Sequence, residues 1–375
     1  MHNISSIQNC YGCGVCSASC GKRIISIELN QDGFYQPRIT KHRECLDCGI
    51  CLDVCAFSHD ELAFTPNQSS IKSWAAWSDD ESVRYKCSSG GVGFEIGRQL
   101  IERGYKAVGC RYDIKEQRAE HYIATTVDEF VQSIGSKYIQ SYTEEAFKQI
   151  KRKDDKYLVT GTPCQIDSFR RMIQRFRCEE NFVLMDFFCH CVPSMHAWKA
   201  YLKLLEPRIG EVTYASWRNK PTGWHDSWTM IVKGEKGENI SWMSKGDLFY
   251  KLFLGDICLG PQCESACKYK WDKSSADIRI GDLWGRTYQE DQKGVSALIV
   301  FTEKGRSVVE SLKGVTLIEQ PFNIVAEGQM RVNAHKKELT QVVMWQLKNK
   351  LSLNSVLFKL TMFGQRVISK LESLL

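Results

Sequence analysis

Two runs of four cysteines near the start of the chain constrain its fold more than any other feature. Each run has the spacing Cys-x2-Cys-x2-Cys-x3-Cys; the first holds Cys10, Cys13, Cys16 and Cys20, and the second holds Cys45, Cys48, Cys51 and Cys55. Tandem runs of this kind bind two [4Fe–4S] clusters, and the last cysteine of each run ligates the other run's cluster. The spacing therefore predicts one cluster on Cys10, Cys13, Cys16 and Cys55, and a second on Cys45, Cys48, Cys51 and Cys20.

A structural zinc site or a disulfide framework explains these runs less well. Zinc takes four ligands, usually as two pairs, which leaves the third cysteine of each run without a use. Gly12, Gly14 and Gly49 allow the backbone to bend closely round a cluster and offer N–H donors to its sulfides. Gly21 and Ala56 follow the fourth cysteines, where proline is usual.

Length and composition narrow the class of protein. The chain has 375 residues, too many for one small core, which indicates two or three domains. It holds 17 cysteines, and its first residues lack the features of a signal peptide, so we expect a cytoplasmic protein whose thiols stay reduced for metal. No apolar run is long enough for a transmembrane segment. A formal charge of +6 without a long basic block gives little support for nucleic-acid binding, but it suits an acidic redox partner.

The expected fold class is α+β and α/β, with a small ferredoxin-like domain followed by a mixed α/β region and a helical tail. Apolar and polar residues alternate around Asp32-Gly33, between the cysteine runs, and predict a β-hairpin. The polar stretch from Thr65 to Ser73 is a candidate linker. We therefore expect a two-cluster ferredoxin-like domain over 1–65, two α/β regions over 73–155 and 156–325, and a tail over 326–375.

Three short segments are predicted where strands end. Ser88, Ser89, Gly90 and Gly91 precede a helix that begins near Gly93, and a helix N-terminus suits an anionic group, although ordinary loops share this pattern. A buried strand over Tyr157–Thr160 leads to a turn and then to a helix from Gln165; this segment holds Gly161, Thr162, Pro163, Cys164 and Gln165. A third strand leads to Gly281, Asp282 and Trp284, which suit a planar cofactor or an ordinary turn equally well.

A further group of cysteines lies in the second half of the chain. Cys258, Cys263 and Cys267 are spaced Cys-x4-Cys-x3-Cys and need a fourth ligand to close a metal site. A strand predicted over Phe182–Phe188 ends in Cys189-His190-Cys191, so Cys189 is the first choice, with Cys164 second and Cys191 third. The pattern predicts a third [4Fe–4S] cluster, with zinc as the alternative.

The last part of the chain, from Leu339 to Leu375, has apolar residues at helical spacing and predicts an amphipathic helix. Such a helix usually packs on the core or on a second subunit, and the second case would give a homo-oligomer formed through these helices. A membrane surface is the less favoured alternative.

Six motifs in order along the chain resemble the beta-subunit family of coenzyme F420 hydrogenases and dehydrogenases. They are KCSSGGVGFEI, VTGTPCQIDSFR, DFFCHCVPS, SWRNKPTGW, CLGPQCESACKYK and ADIRIGDLWG. The resemblance covers about Ser73 to Trp284 and implies FAD together with at least one [4Fe–4S] cluster. It places the flavin near Ser88–Gly91, Gly161–Gln165 and Gly281–Trp284, and the third cluster on Cys189, Cys258, Cys263 and Cys267.

Two departures from the family pattern leave the fourth ligand of that cluster open. Cys191 stands where the family usually has glycine after the histidine, and three residues instead of two separate Cys263 from Cys267. The function that the resemblance implies is an oxidoreductase. It would pass electrons from ferredoxin or a reduced deazaflavin through its clusters to FAD, and on to, or from, a small organic substrate. The alternative is an electron-transfer subunit that serves a partner enzyme and has no substrate of its own.

Five polar or aromatic side chains are candidates for contact with a substrate, and no proton donor is assigned among them. They are His190, Arg218, Lys220, Trp224 and His225.

Overall fold

The computed structural model describes residues 2–372 and 374 of the chain. Its strands are β1 (Ile25–Leu29), β2 (Tyr35–Ile39), β3 (Lys72–Ser78), β4 (Lys106–Asp113), β5 (Arg118–Ala124), β6 (Ser141–Tyr142), β7 (Tyr157–Thr160), β8 (Phe182–Phe187), β9 (Val212–Asn219), β10 (Thr229–Gly234), β11 (Gly237–Trp242), β12 (Ile278–Asp282), β13 (Ser296–Val300) and β14 (Val315–Glu319). Its α-helices are α1 (Val15–Ser19), α2 (Ile50–Asp53), α3 (Glu81–Lys86), α4 (Val92–Glu102), α5 (Val127–Phe130), α6 (Glu144–Gln149), α7 (Pro163–Arg175), α8 (Met195–Ile209), α9 (Leu248–Phe253), α10 (Pro261–Ser265), α11 (Glu303–Glu310), α12 (Phe322–Val325), α13 (Thr340–Lys348) and α14 (Val356–Glu372).

A nine-stranded mixed sheet forms the centre of the molecule, in the order β14-β3-β13-β12-β8-β7-β4-β5-β6. The strands β12, β8, β7 and β4 run parallel to one another, and β13 runs against β12. Every residue of β13 is buried, as expected for a continuous apolar strand inside a covered sheet. The mixed α/β architecture predicted from the sequence is therefore confirmed.

Helices cover both faces of this sheet. Successive residues of β7 point to opposite sides: Leu158 packs in the core that includes α4, whereas Tyr157 and Val159 pack in the core that includes α7. This alternation follows from the period of two in a β-strand. Because these strands run parallel, the carboxyl ends of β12, β8, β7 and β4 lie at the same edge of the sheet.

A second, three-stranded sheet of order β11-β10-β9 packs with α8 and α9 around the largest core cluster. Trp198, Trp217 and Phe249 lie at its centre and are fully buried. The tail helix α13 joins the same cluster through Val343 and Leu347.

The hairpin predicted between the cysteine runs is confirmed, since β1 pairs with β2 in antiparallel register. It lies directly on the main body of the protein. The backbone N–H of Tyr35 donates to Gln140 Oε1 over 2.8 Å, and the N–H of Ile27 donates to Glu144 Oε2 over 2.7 Å. The hairpin strands are thus anchored to α6 and to the loop before β6.

Three predicted element boundaries need correction. Helix α7 begins at Pro163 rather than Gln165, because Thr162 forms a capping box with Gln165 and proline is favoured at the first helical position. Gly281 and Asp282 belong to strand β12 instead of following it. The tail forms two helices rather than one, and Lys350, between them, has a positive φ of 55° that interrupts the helical backbone.

The predicted tail extends to Ser373 and Leu375, which lie outside the described residues. Within the described part of the chain, no helix is both long and apolar enough to cross a membrane.

Candidate functional site

The first cysteine site is formed by two loops that meet at α1 and α2. The sulfur-bearing residues of this site line one cavity together with apolar neighbours and a serine; the lining includes Cys10, Cys13, Cys16, Cys55, Ile4, Tyr11, Phe57 and Ser168. The cysteine that completes this set comes from the second run, which is the crossed arrangement that the spacing predicts. Ligation of a cluster by these residues stays a prediction.

Close packing explains the glycines of this loop. Gly14 has φ 79° and begins α1 in a left-handed conformation. A Cβ atom at Gly14 would lie 2.1 Å from Thr143 Oγ1, and one at Gly12 would lie 2.2 Å from the Tyr35 carbonyl oxygen. The Thr143 hydroxyl also donates to the Cys13 carbonyl over 2.9 Å. The loop can therefore reach the hairpin and α6 only with glycine at these positions.

Burial and neighbouring thiols suppress ionisation in this first site. Burial raises the pKa of Cys10 to about 12 and that of Cys13 to about 11, and the nearby Cys55 raises both further. The pKa of Cys16 lies well above its usual value for the same reasons. Such thiols become thiolates when a cation binds among them, so the donor set fits an iron–sulfur cluster.

The second cysteine site lies nearer the surface. Burial raises the pKa of Cys51, and Cys48 and Cys20 act on it electrostatically, so that these three thiols are neighbours. Cys45 packs against the small core cluster that contains Cys51, and the side-chain amide of Asn3 donates to the sulfur of Cys45 over 3.5 Å. Cys48 is the exposed member of this set.

A third set of cysteines, which we call the third cysteine group, gathers at the carboxyl edge of the main sheet. It consists of Cys164 at the start of α7, Cys189 after β8, and Cys263 and Cys267 in and after α10. The pKa of Cys164 is raised by burial and by Cys189 and Cys263, and that of Cys189 is raised to about 12 by burial, Cys263 and Cys267. These four residues are therefore close to one another.

The sequence offers two other cysteines as candidates for this site. Cys258 is fully buried in the largest core cluster, and burial raises its pKa to about 12, with no thiol of the described residues contributing to the shift. The structure thus does not bring Cys258 together with the other predicted ligands. The thiol of Cys191 instead interacts with that of Cys263, which raises the pKa of Cys191 and lowers that of Cys263.

Buried cations, which no sequence pattern indicates, flank the third cysteine group. Lys270 Nζ donates to the carbonyl oxygens of Cys189 and His190 over 2.9 and 2.6 Å. Arg279 forms a two-point ion pair with Asp186 over 2.8 and 2.7 Å, and both side chains are completely buried. Lys270 and Arg279 both act to lower the pKa of Cys189 and of Cys267.

The third cysteine group also has an unused donor. The side-chain amide nitrogen of Gln262, next to Cys263, is buried without a hydrogen-bond partner in the described chain. Lys270, Arg279 and the free amide of Gln262 lie beside the thiols. Positive charge and a hydrogen-bond donor suit a bound group that carries negative charge and has sulfides able to accept hydrogen bonds. The residues present therefore fit an anionic thiolate-ligated cluster. Within the described residues, no three His, Cys, Asp or Glu side chains converge as closely as one metal ion requires.

The first cysteine site and the third cysteine group are neighbours. Cys13 contributes to the raised pKa of Cys164, and the Ser168 hydroxyl, one turn after Cys164 on α7, accepts a hydrogen bond from the Cys13 thiol over 3.3 Å. Tyr11 fills the remaining space. Its ring lies 5.9 Å from that of Tyr269, and its hydroxyl donates to the Ala266 carbonyl over 2.5 Å.

The three segments predicted to hold a flavin all lie along the carboxyl edge of the sheet. Hydrogen bonds within the chain already occupy several of their polar groups. Ser88 Oγ accepts from the N–H of Ser136, Ser89 Oγ donates to the Val295 carbonyl, and the N–H of Gly90 donates to Ser296 Oγ. These bonds fix the Ser88–Gly91 loop against β13.

The Gly161–Gln165 segment is also held from within the chain. The Gly161 N–H donates to the Met185 carbonyl, and the Gln165 amide closes the cap of α7 through the Thr162 N–H. Of the side chains in this segment, Cys164 faces the third cysteine group.

Arg218 joins the first and the last of these segments. Its guanidinium donates to both carboxylate oxygens of Asp282, at 2.8 and 3.0 Å, and to the Ser88 carbonyl at 3.3 Å. It also stacks between the rings of Trp228 and Trp284, 4.6 and 4.9 Å from their centroids. The arginine is therefore a buried cross-link between loops and has no surface left for a substrate.

Of the other four candidates for substrate contact, two are buried inside the protein and two are not. Lys220 donates to three backbone carbonyls, burial lowers its pKa to about 8, and Trp224 is buried against Trp284 at a centroid distance of 4.9 Å. His190 is half-buried, with Nε2 2.8 Å from Asp256 Oδ1. His225 remains exposed.

Comparison with known proteins gives matches to two family profiles. Residues 73–148 match the N-terminal region, and residues 154–321 the C-terminal region, of the coenzyme F420 hydrogenase/dehydrogenase beta subunit. Among solved structures, the chain is similar to a chain of a xenon derivative of the F420-reducing [NiFe] hydrogenase complex from Methanosarcina barkeri. The identity is 15%, the match covers 78% of this chain and 91% of that one, and the TM-score is 0.46. No curated protein matches the chain.

Proposed function

We propose a redox function for this chain, which belongs to the coenzyme F420 hydrogenase/dehydrogenase beta-subunit family. The family is one of oxidoreductases, and the proposal is that this member is an iron–sulfur flavoprotein. It would exchange electrons between a soluble donor, such as ferredoxin or a reduced deazaflavin, and a small organic substrate.

The observation that carries the proposal is the contact between the first cysteine site and the third cysteine group. Cys13 raises the pKa of Cys164, so the two thiols are close. Ser168 and Tyr11 lie between the first cysteine site and the third cysteine group. When bound, [4Fe–4S] clusters carry single electrons and a flavin pairs them for two-electron chemistry. The chain contributes a short, buried connection from its N-terminal cysteines to the edge of the main sheet.

The residues proposed to hold the clusters follow from the groupings. The first cluster would bind Cys10, Cys13, Cys16 and Cys55, and the second Cys45, Cys48, Cys51 and Cys20. For the third we propose Cys164, Cys189, Cys263 and Cys267, with Cys164 in the place predicted for Cys258. Cys191 is left out because its thiol interacts with that of Cys263, which raises the pKa of Cys191 and lowers that of Cys263.

FAD is proposed for the same edge of the sheet, beside the third cysteine group. Ligands of open α/β sheets bind outside the carboxyl ends of parallel strands, and Gly161 and Trp284 both follow such ends. The chain would exclude water there with Trp228 and Trp284, and the buried hydroxyl of Tyr250, which lacks a partner in the described chain, is a polar group available for orientation.

A relay without its own substrate is the second candidate, and one observation favours it. Arg218, Lys220 and Trp224 are all occupied inside the protein, so that His190 and His225 are the remaining polar candidates for substrate contact. A protein of this kind would deliver its electrons to a partner enzyme.

The test is anaerobic purification followed by measurement of iron, acid-labile sulfide, zinc and released flavin per chain. About twelve irons and one flavin are expected for three clusters beside FAD. The reduced protein is then mixed with small organic acceptors, with and without a cell extract. Turnover with an acceptor alone supports the enzyme, and turnover that needs the extract supports the relay. About eight irons and no flavin contradict the flavoprotein proposal.

A further inference from the structure

Helix α14 presents its apolar side to solvent, which is the reverse of an ordinary surface helix. Its exposed apolar residues are between 42% and 74% accessible; they are Val356, Leu357, Leu360, Phe363, Val367 and Leu371. With 3.6 residues per turn, all of them except Leu357 fall within about 80° of the helix circumference. We call these residues the apolar stripe. No other part of the described chain covers it.

Polar contacts fix this orientation of α14. On the inner side, Phe358, Thr361 and Gln365 are buried. Gln346 of α13 donates to Thr361 Oγ1 over 2.9 Å, and Gln365 accepts from the Leu339 N–H over 2.9 Å and donates to Glu338 over 2.8 Å. A rotation of α14 that buried the apolar stripe would move Thr361 and Gln365 away from α13 and break these hydrogen bonds. The polar groups that remained buried would then lack partners. The outward position of the stripe is therefore a property of the packing.

Positive charge is concentrated in the same part of the chain. Residues 331–375 contain eight Lys and Arg but two Asp and Glu, and so carry the whole formal charge of +6, since the preceding 330 residues contain 42 of each sign. Lys359, Arg366 and Lys370 lie on one border of the apolar stripe, within about 40° of one another on the helical wheel. Trp345 of α13, the preceding helix, is also exposed, at 56%.

We propose that the apolar stripe docks on the surface of an anionic lipid bilayer, with α14 lying in the plane of the interface. An apolar face that enters the headgroup region, a bordering row of basic side chains and an exposed tryptophan are the features of interfacial helices. The basic row would pair with lipid phosphates, while its aliphatic stems stay along the apolar surface. Docking of a second copy through the same face would bring two rows of positive charge together with few carboxylates to neutralise them.

The inference goes beyond the proposed redox function and does not depend on it, because neither cluster ligands nor flavin segments lie in the tail. The test is flotation of the full-length, anaerobically purified protein with vesicles of phosphatidylcholine alone and of phosphatidylcholine mixed with phosphatidylglycerol. We expect flotation with the mixed vesicles that weakens as salt is raised, because salt screens the basic row.

Two double variants separate the contributions of the stripe and of the charges. Leu360→Gln with Phe363→Gln should weaken vesicle binding about tenfold or more, because two large apolar side chains no longer enter the lipid. Lys359→Gln with Arg366→Gln should weaken binding to the mixed vesicles by about fivefold for each charge, and leave phosphatidylcholine unaffected. Ile240→Gln, at an exposed apolar position of β11, is the matched control and should bind like the unaltered chain.

Two results would overturn the proposal. The first is absence of flotation with both kinds of vesicle. The second is a concentration-dependent dimer in light scattering that Leu360→Gln with Phe363→Gln abolishes, together with no vesicle binding, which would assign the stripe to a second copy. Folding of each variant is checked by its circular dichroism, so that loss of binding is not confused with loss of structure.

Discussion

The N-terminal cysteine sites draw all their thiols from two short loops, whereas the third cysteine group takes its thiols from three separate turns along the edge of the main sheet. In the first site, glycines with left-handed backbone let the loop close on itself, and the lining is largely apolar. The third group is surrounded by buried charge, with Lys270, Arg279 and Asp186 beside it.

This difference indicates which interactions hold the cysteines of each site in place. A site made from local loops depends on backbone shape, so its weak points are glycines. A site assembled at a sheet edge depends on the elements that deliver each ligand and on the charges that hold those elements together. The predictions below test that contrast, beginning with the ligands themselves.

The largest effect is expected from the choice of ligand in the third group. Cys164→Ser should remove a whole cluster and thus about a third of the iron, because a serine hydroxyl is a poor substitute for a thiolate. Cys258→Ser, the matched variant, should keep its iron, since the Cys258 thiol is enclosed in the apolar core. Iron and sulfide analysis with low-temperature EPR measures both. Loss of iron in Cys258→Ser but not in Cys164→Ser would restore the ligand set expected from the sequence.

The buried ion pair beside the third group should dominate stability. Arg279→Gln leaves the Asp186 carboxylate buried without its partner, and such a loss costs about 3–5 kcal/mol. Arg38→Gln breaks an exposed pair with Glu28 in the N-terminal hairpin, where the expected change is about 0–1 kcal/mol. Anaerobic urea unfolding compares the two. Addition of Asp186→Asn to Arg279→Gln should recover part of the loss, and a double variant no better than Arg279→Gln would contradict this account.

The elements of the fold could be predicted well where the signal is local. The strand Tyr157–Thr160, the hairpin β1–β2 and the helix after Gly91 follow from short patterns of apolar residues and turn residues, and the structure confirms them. The break between α13 and α14 was missed, because Lys350 adopts a left-handed backbone that its residue type does not indicate.

The candidate site could be predicted only in part, for the same reason. The cysteine spacing predicts the crossed assignment of Cys20 and Cys55, since both ligand runs are continuous in sequence, and the assignment stays a prediction. The choice between Cys164 and Cys258 depends on which strands are neighbours in the sheet, and a single sequence does not contain that order. Arg218 is one of five candidates for substrate contact in the sequence, yet Asp282, 64 residues away, pairs with it in the interior.

A smaller effect is expected where backbone shape supports the first site. Gly14→Ala and Gly104→Ala place a side chain on residues with similar left-handed φ values, 79° and 87°. At Gly104 nothing lies within 4 Å of the added Cβ, whereas at Gly14 it would meet Thr143 Oγ1 at 2.1 Å. The difference between the variants therefore isolates the close contact, and we expect Gly14→Ala to be less stable by about 1–3 kcal/mol.

Thermal unfolding and iron content measure this pair. Gly104→Ala should keep the iron of the N-terminal clusters and Gly14→Ala should lose part of it. Equal stability and iron content of the two variants would show that the loop can shift to accommodate the added Cβ. Glycine would then be needed at position 14 only for its left-handed backbone conformation.

The smallest effect concerns the contact between the two regions. When Cys13 is a thiolate ligand, the Ser168 hydroxyl can donate to its sulfur, and hydrogen bonds to cluster sulfurs raise the reduction potential. Ser168→Ala should therefore lower the midpoint potential of one cluster by about 40 mV, the equivalent of one hydrogen bond of about 1 kcal/mol. Ser168→Cys, with a weaker donor, should give a smaller shift.

Ser17→Ala is the control, because that serine is equally buried but bonds to the Ile25 carbonyl and to Glu144. An EPR-monitored redox titration that finds the same potentials in Ser168→Ala and Ser17→Ala would exclude Ser168 as a positioning residue. A shift in Ser168→Ala alone would establish that α7, which carries Cys164 to the third group, also tunes the first site.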